Sequence, residues 1–279
     1  MRVQTFVLAA LALGASCIYL FVSAPPPLDD IEESANNSLP VQRMFDVLAA
    51  ENDSARTLYT SQVVGPGIKA GLKFNEHWKD EGVEAGPLPA LFLREVSSRL
   101  AKGRTEIGLF LGSDFPISSV NRFSGDQMNL FSKVKETKRP QYAEDSATNM
   151  HLAMYPDFAT AAPCVSCHNA HPDSPKTDWA LNDMMGATTW LYPQPQVSVE
   201  TSVMAVAAFR AAVRATYEDY LAKTRTFSTN RPDIGEKWPA DGLFLPTADV
   251  FMKAVSDRAS AATLTRILDL PQEGTDGAN

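Results

Sequence analysis

The five residues Cys164-Val165-Ser166-Cys167-His168 constrain this chain more than any other stretch. In a C-x-x-C-H pattern the two thiols are spaced to add across the two vinyl groups of one haem. The histidine that follows is placed to take an axial site on the iron. A chain that carries such a group must also supply a large apolar surround for it. The only other cysteine, Cys17, lies in the N-terminal apolar run, so the remaining thiols all belong to the motif. Three ordinary readings compete: a redox dithiol, half of a zinc site, and a structural pair of buried cysteines. A zinc ribbon needs a second ligand pair of similar spacing, and His168 with His171 would crowd all four donors into one short stretch. A redox C-x-x-C opens a helix after a strand. The run Phe158-Ala159-Thr160-Ala161-Ala162-Pro163 is expected to provide no such strand.

From Phe6 to Ala24 the chain is almost entirely apolar, with Arg2 ahead and Asp29, Asp30, Glu32 and Glu33 behind. That length is near the roughly 20 residues that cross a bilayer and long for a signal-peptide core. Arg2 and the amino terminus favour the cytoplasmic side and send the rest outward. Val22-Ser23-Ala24 has the small residues of a cleavage site, but Pro25 follows at once. Leu13-Gly14-Ala15-Ser16-Cys17 has the look of a lipoprotein signal, but the apolar run continues past Cys17. The expectation is an uncleaved anchor in a bacterial inner membrane with the bulk of the chain in the periplasm. A cleaved, secreted form shares that compartment, where covalent c-type haem is attached. The net charge of −8 argues against nucleic acid or an anionic membrane surface as partner.

Hydrophobic periodicity then orders the chain. Helical spacing runs from Pro40 to about Val64, where Gly65-Pro66-Gly67 is expected to stop it, and a second helix is expected over Ile68–Trp78. Ala90–Leu100 and Gly125–Lys138 are amphipathic, the latter with Met128, Leu130, Phe131 and Val134 inward. Glu106–Gly112 reads as a buried strand, and shorter strands are expected at Gln141-Tyr142, Thr148–Tyr155 and Met184–Leu191. Helices first, then strands interrupted by a helix, then a loop carrying the motif and a last strand make an α+β fold with an antiparallel sheet. Long helical patterns follow over Val199–Phe227 and Thr247–Leu270, separated by Pro/Gly-rich chain around Trp238–Gly242. The predicted organisation is anchor or signal at 1–24, a stiff linker at 25–39, a domain at 40–195 and a helical C-terminal extension at 196–279. That extension is a candidate to form a homodimer, dock a partner or cover the sheet.

Several stretches together resemble a known family: Val63–Gly67, Ala85–Arg94, Ser113–Ile117, Cys164–His171 and Trp179–Asp183, with Gly186-Ala187 after them. They are similar to the c-type haem, PAS-like sensor domains long catalogued as a domain of unknown function. Such domains sit outside the membrane ahead of histidine kinases, nucleotide cyclases or chemoreceptors. The resemblance covers roughly residues 40–193. It implies a PAS-like antiparallel sheet with flanking helices and one covalent haem c, with Cys164 and Cys167 as thioether anchors and His168 as the proximal iron ligand. No transmitter module follows in this sequence, so signal output would need a partner protein.

The second axial position has several candidates. Met150, His151 and Met154 share the expected strand ahead of the motif, with alternation placing the two methionines on one face and His151 on the other. Core packing is the commoner use of a methionine. His77 could reach across from its own segment, although its neighbours Glu76, Lys79 and Asp80 suit an exposed histidine. His171 stands too close to His168 to reach the opposite face, and an open or water-bound site is the remaining alternative. Lys133, Lys135, Lys138 and Arg139 form a basic cluster that suits either haem propionates or a solvated helix face. Trp179, Trp190 and Tyr192 could wall a pocket or simply pack a core. Asp114 and Asp183 form no catalytic pairing, and no triad, paired-carboxylate or phosphate-loop pattern is visible.

The leading expectation is a membrane-anchored periplasmic mono-haem protein that senses redox state or a small gas at its iron. The alternative is a mono-haem electron carrier for a membrane oxidoreductase. A haem peroxidase or nitrogen-oxide converter ranks behind both, since it needs an open iron and a distal acid–base group.

Overall fold

Apolar residues at helical spacing draw the first helix of the computed structural model, which describes residues 37–236 and 244–268. The expected membrane segment, the linker through residue 36, the Trp238–Gly242 connection and the chain beyond 268 lie outside the described residues. No helix among the described residues is long and apolar enough to cross a membrane.

Helix α1 (Val41–Leu58) buries Val41, Met44, Phe45, Leu48, Ala55 and Leu58 along one face. Its first N–H, on Val41, donates to the Pro195 carbonyl at 2.9 Å, which satisfies one of the donors a helix start leaves open. Contrary to expectation, Gly65-Pro66-Gly67 does not end the helix. The chain widens into a π-helical stretch, Tyr59–Val64, and continues as α2 (Gly65–Lys69). Pro66 has no N–H and would clash with the carbonyl four residues back in a regular α-helix. The π turn breaks that ladder, and Pro66 falls in the first turn of α2, where a missing N–H costs little. The stop comes at Gly71, whose φ of +93° suits glycine.

The expected helix over Ile68–Trp78 is also absent. Phe74–Asn75 instead pairs in parallel with Gly86–Pro87, and turns fill the segment between. Tyr59 explains why this segment stays close to the π stretch: its hydroxyl donates to the Pro87 carbonyl at 2.8 Å. Its ring stacks on Phe92 of α3 (Pro89–Ala101) at 4.2 Å.

Four strands follow the expected pattern closely: β1 (Gly108–Gly112), β2 (Gln141–Asp145), β3 (Met150–Phe158) and β4 (Met184–Tyr192). They form one antiparallel sheet in the order β1-β4-β3-β2, so the α+β assignment holds. Helix α4 (Gly125–Thr137) precedes β2. Residues expected to be loop form α5 (Ala162–Ala170) between β3 and β4, and β3 runs through Phe158. A strand therefore does precede the motif, which opens a helix.

Alternation along the strands divides the sheet into two cores. Leu109, Ala153, Tyr155, Trp190 and Tyr192 join the main core with α1 and α3. Leu152, Met154 and Ala187 join a second cluster with Phe123, Leu130, Phe131 and Val134, the last three from α4. Helices α6 (Val199–Thr224) and α7 (Ala248–Leu268) belong to the main core. Phe209 meets Trp190 edge-on at 5.7 Å, and Tyr217 stacks on Phe251 at 4.4 Å. The described residues from Leu39 onward thus group as one compact unit.

Candidate functional site

The end of the sheet formed by the last residues of β1 and β3 and the first of β4 is built to be irregular. Pairing of β3 with β4 slips between Asp157 and Phe158, so Asp157 faces Gly186 while Phe158 faces Met184. A bulge of this kind re-aims the side chains beside it. Gly186 permits β1 and β4 to converge, because a Cβ there would stand 2.3 Å from the Gly112 carbonyl oxygen. Ser113 ties the same corner by donating to the Met185 carbonyl at 2.6 Å.

Helix α5 leaves this end through Ala159, which is fully buried. The Ala159 N–H donates to the Asp183 carbonyl at 2.8 Å, and the Asn182 N–H donates back to the Ala159 carbonyl at 3.0 Å. Pro163 stands in the first turn, where it suits a helix start. Cys164, Cys167 and His168 then fall at i, i+3 and i+4, on one side of the helix. None of the helix's residues is buried. Both thiols are free, that of Cys164 half-buried and that of Cys167 exposed.

His168 is half-buried, and its Nδ1 is shielded from solvent with no hydrogen-bond partner. Burial pushes its imidazole below the ordinary 6.5, Asp157 pulls the other way, and His171 adds to the fall. The neutral, ligand-competent form is therefore favoured at neutral pH. Burial raises the Cys167 thiol, helped by Glu76 and Cys164.

A hydrogen-bonded frame fixes the helix. The Asn169 side chain bonds the Trp179 backbone twice, donating to its carbonyl and accepting from its N–H, both at 2.9 Å. Trp179 is buried, stands edge-on to Phe115 at 6.4 Å and carries the Lys176 ammonium 4.6 Å from its ring centre. His171 accepts from the Asp173 N–H at Nδ1 (3.1 Å), so its proton sits on Nε2, 3.3 Å from Glu76. On the other flank, Arg56 near the end of α1 pairs with Asp157 at the end of β3. Burial alone would lower Arg56, but Asp157, Asp53 and Cys164 outweigh it and raise it.

The other sequence candidates fall elsewhere. At about 3.3 Å per strand residue, Met150 and His151 stand on the order of 23–26 Å along β3 from Phe158, and Met154 about 13 Å. Met154 is fully buried in the α4 cluster, while His151 faces Glu144 and Tyr192 at the far end of the sheet. His77 is exposed and turns to Asp80 at 3.4 Å, although its neighbour Glu76 touches the site through His171. Lys135 pairs with Asp114 at 2.7 Å on α4, and Lys138 ends that helix in a left-handed conformation. Trp190 and Tyr192 belong to the main core, so of the three aromatics only Trp179 borders the motif. Arg56, Asp157 and Glu76 carry no local sequence signal, because their partners are distant along the chain.

These donors fit a covalent haem. The two free thiols share one helical face, each able to add its S–H across a vinyl group with nothing leaving. A half-buried neutral imidazole follows, and the helix surface is left uncovered. Half-exposed apolar side chains stand nearby at Phe115 and Leu181. Among the described residues no three His, Cys, Asp or Glu side chains gather as a metal site, so the four motif donors do not make a ready zinc centre.

A family model for Tll0287-like domains matches residues 37–193. The chain belongs to the Tll0287-like family. This is a family of c-type haem sensor-like domains rather than of enzymes, and the match spans α1 through β4, with the motif helix inside it. Comparison with curated proteins finds no match. Comparison with solved structures finds none either.

Proposed function

We propose that this Tll0287-like protein is a membrane-anchored, periplasm-facing mono-haem c-type sensor of redox state or a small gas, with a PAS-like core. The observation that carries the reading is the motif helix: an exposed Cys167 with half-buried Cys164 and His168 on one face, at the bulged end of an antiparallel sheet. Cys164 and Cys167 would hold the haem, and His168 would ligate its iron. The group supplies one-electron redox chemistry and binding of small diatomic ligands. This chain's own part is to fix the helix through Asn169 and Trp179 and to join α1 to the end of β3, just ahead of the helix, through Arg56 and Asp157. Helix α1 follows the linker and anchor in sequence, so a shift of its packing is the route outward, and a partner protein reads it. The apolar run at 6–24 supports the anchor.

The exposure of Cys167 favours one second reading, an electron carrier, because it brings the edge of the attached group towards a docked partner. Optical spectra of the haem-loaded protein separate the two, taken oxidised and reduced, with and without carbon monoxide or nitric oxide. The sensor reading expects a five-coordinate or easily displaced iron that binds gas, or a redox-dependent change in protease protection of α1. A six-coordinate iron indifferent to both gases, with α1 equally protected in each redox state, would leave the carrier.

A further inference from the structure

We propose that the Arg56–Asp157 ion pair sets the reduction potential of the iron carried at the motif, an inference that rests on the covalent-haem reading above. The pair joins the last turn of α1 to the last turn-ward residues of β3, across 101 positions of sequence. Both side chains are about three-quarters buried, at 22% and 26% exposure. Charges so placed are weakly screened by solvent and salt. Each member also faces a different part of the motif: Arg56 lies within electrostatic reach of the Cys164 sulfur, and Asp157 within reach of the His168 ring. The register of β3 against β4 slips directly after Asp157, at the strand end that leads into the motif helix.

A pair that only cross-links α1 and β3 would need no such neighbour. A pair beside the iron acts on it with opposite signs. The carboxylate favours the oxidised, more positive iron, and the guanidinium favours the reduced iron. Arg56 also stands in the turn just before the π stretch Tyr59–Val64, an irregularity often found at functional positions. The charge felt by the iron and the packing of α1 therefore share one contact.

The test is potentiometric titration of the haem-loaded full chain as wild type, R56Q, D157N and the R56Q/D157N double variant, with covalent attachment confirmed by mass in each. R56Q leaves the carboxylate uncompensated and lowers the potential. D157N leaves the guanidinium uncompensated and raises it. The double variant returns towards wild type, and R56K and D157E, which keep the charges, stay near it. Loss of stability would follow from either single change, because breaking a buried pair destabilises from both sides. Opposite shifts of potential would not follow from a merely structural pair. Potentials that stay put, or move together, in the loaded variants overturn this inference and leave the haem reading standing. A wild-type chain that never carries covalent haem overturns both. Should either single variant fail to mature, the remaining single variant still gives its sign, with the charge-keeping variants as controls.

Discussion

The two ends of the sheet are held by different forces. Away from the motif, Trp190, Phe209, Tyr217 and Phe251 are fully buried, Trp190 edge-on to Phe209 and Tyr217 stacked on Phe251. At the motif end, α5 buries none of its residues and is held by backbone bonds, the Asn169–Trp179 clasp and the His171–Glu76 contact at its end. The contrast is between a sheet packed on large buried side chains and a motif helix that buries none of its own residues.

The comparison can be broken by mutation. Phe209→Ala opens a cavity in the main core and is expected to cost about 3–5 kcal/mol, read as a fall in the denaturant midpoint at unchanged slope. Asn169→Ala removes both bonds to the Trp179 backbone and is expected to cost about 1–3 kcal/mol. Faster amide exchange around Trp179, with the sheet amides still protected, would mark that loss as local. In the unloaded protein Cys167→Ser is expected to change stability by less than about 0.5 kcal/mol, because the thiol is exposed. A loss as large as that of Phe209→Ala would show that the motif end is part of the core after all.

The smallest effect concerns pH. Ser146 donates to the Asp126 carboxylate from its hydroxyl (2.5 Å) and from its N–H (3.2 Å), which holds Asp126 below its ordinary 3.8. A depressed carboxylate contributes stability that is present above the unfolded value and lost as pH falls through the folded one. Asp126→Asn should therefore flatten only the acid limb of the stability profile below about pH 4. An unchanged acid limb would count against this bond. The small loss should be greatest near neutrality and vanish in acid, where wild type and variant converge, and it should not touch the motif end.

Much of the fold was legible because the sheet and the long helices obey simple periods. Strands β1 and β4 and helices α3, α4 and α6 fall within a few residues of where alternation and helical spacing put them. The π stretch was not legible. Gly65-Pro66-Gly67 reads as a stop, and only the widened turn before it explains why the helix survives. The same limit affected the site. The motif was legible from five residues, and alternation correctly separated Met150 and Met154 from His151. Alternation says nothing of distance along a strand, however: Met150 and His151 lie at the far end of β3 from the motif, and Met154 lies at its middle. Arg56 and Asp157 were invisible for the opposite reason, since tertiary folding alone brings them together.

The central claim is that Cys164 and Cys167 carry one haem covalently. Its most direct test is the mass of the denatured, acid-extracted full chain, matured in cells that attach c-type haem, beside the C164S/C167S variant. The account predicts the mass of the chain plus one haem in the wild type and of the bare chain in the variant. A bare wild-type chain under conditions that load a control c-type protein would contradict it.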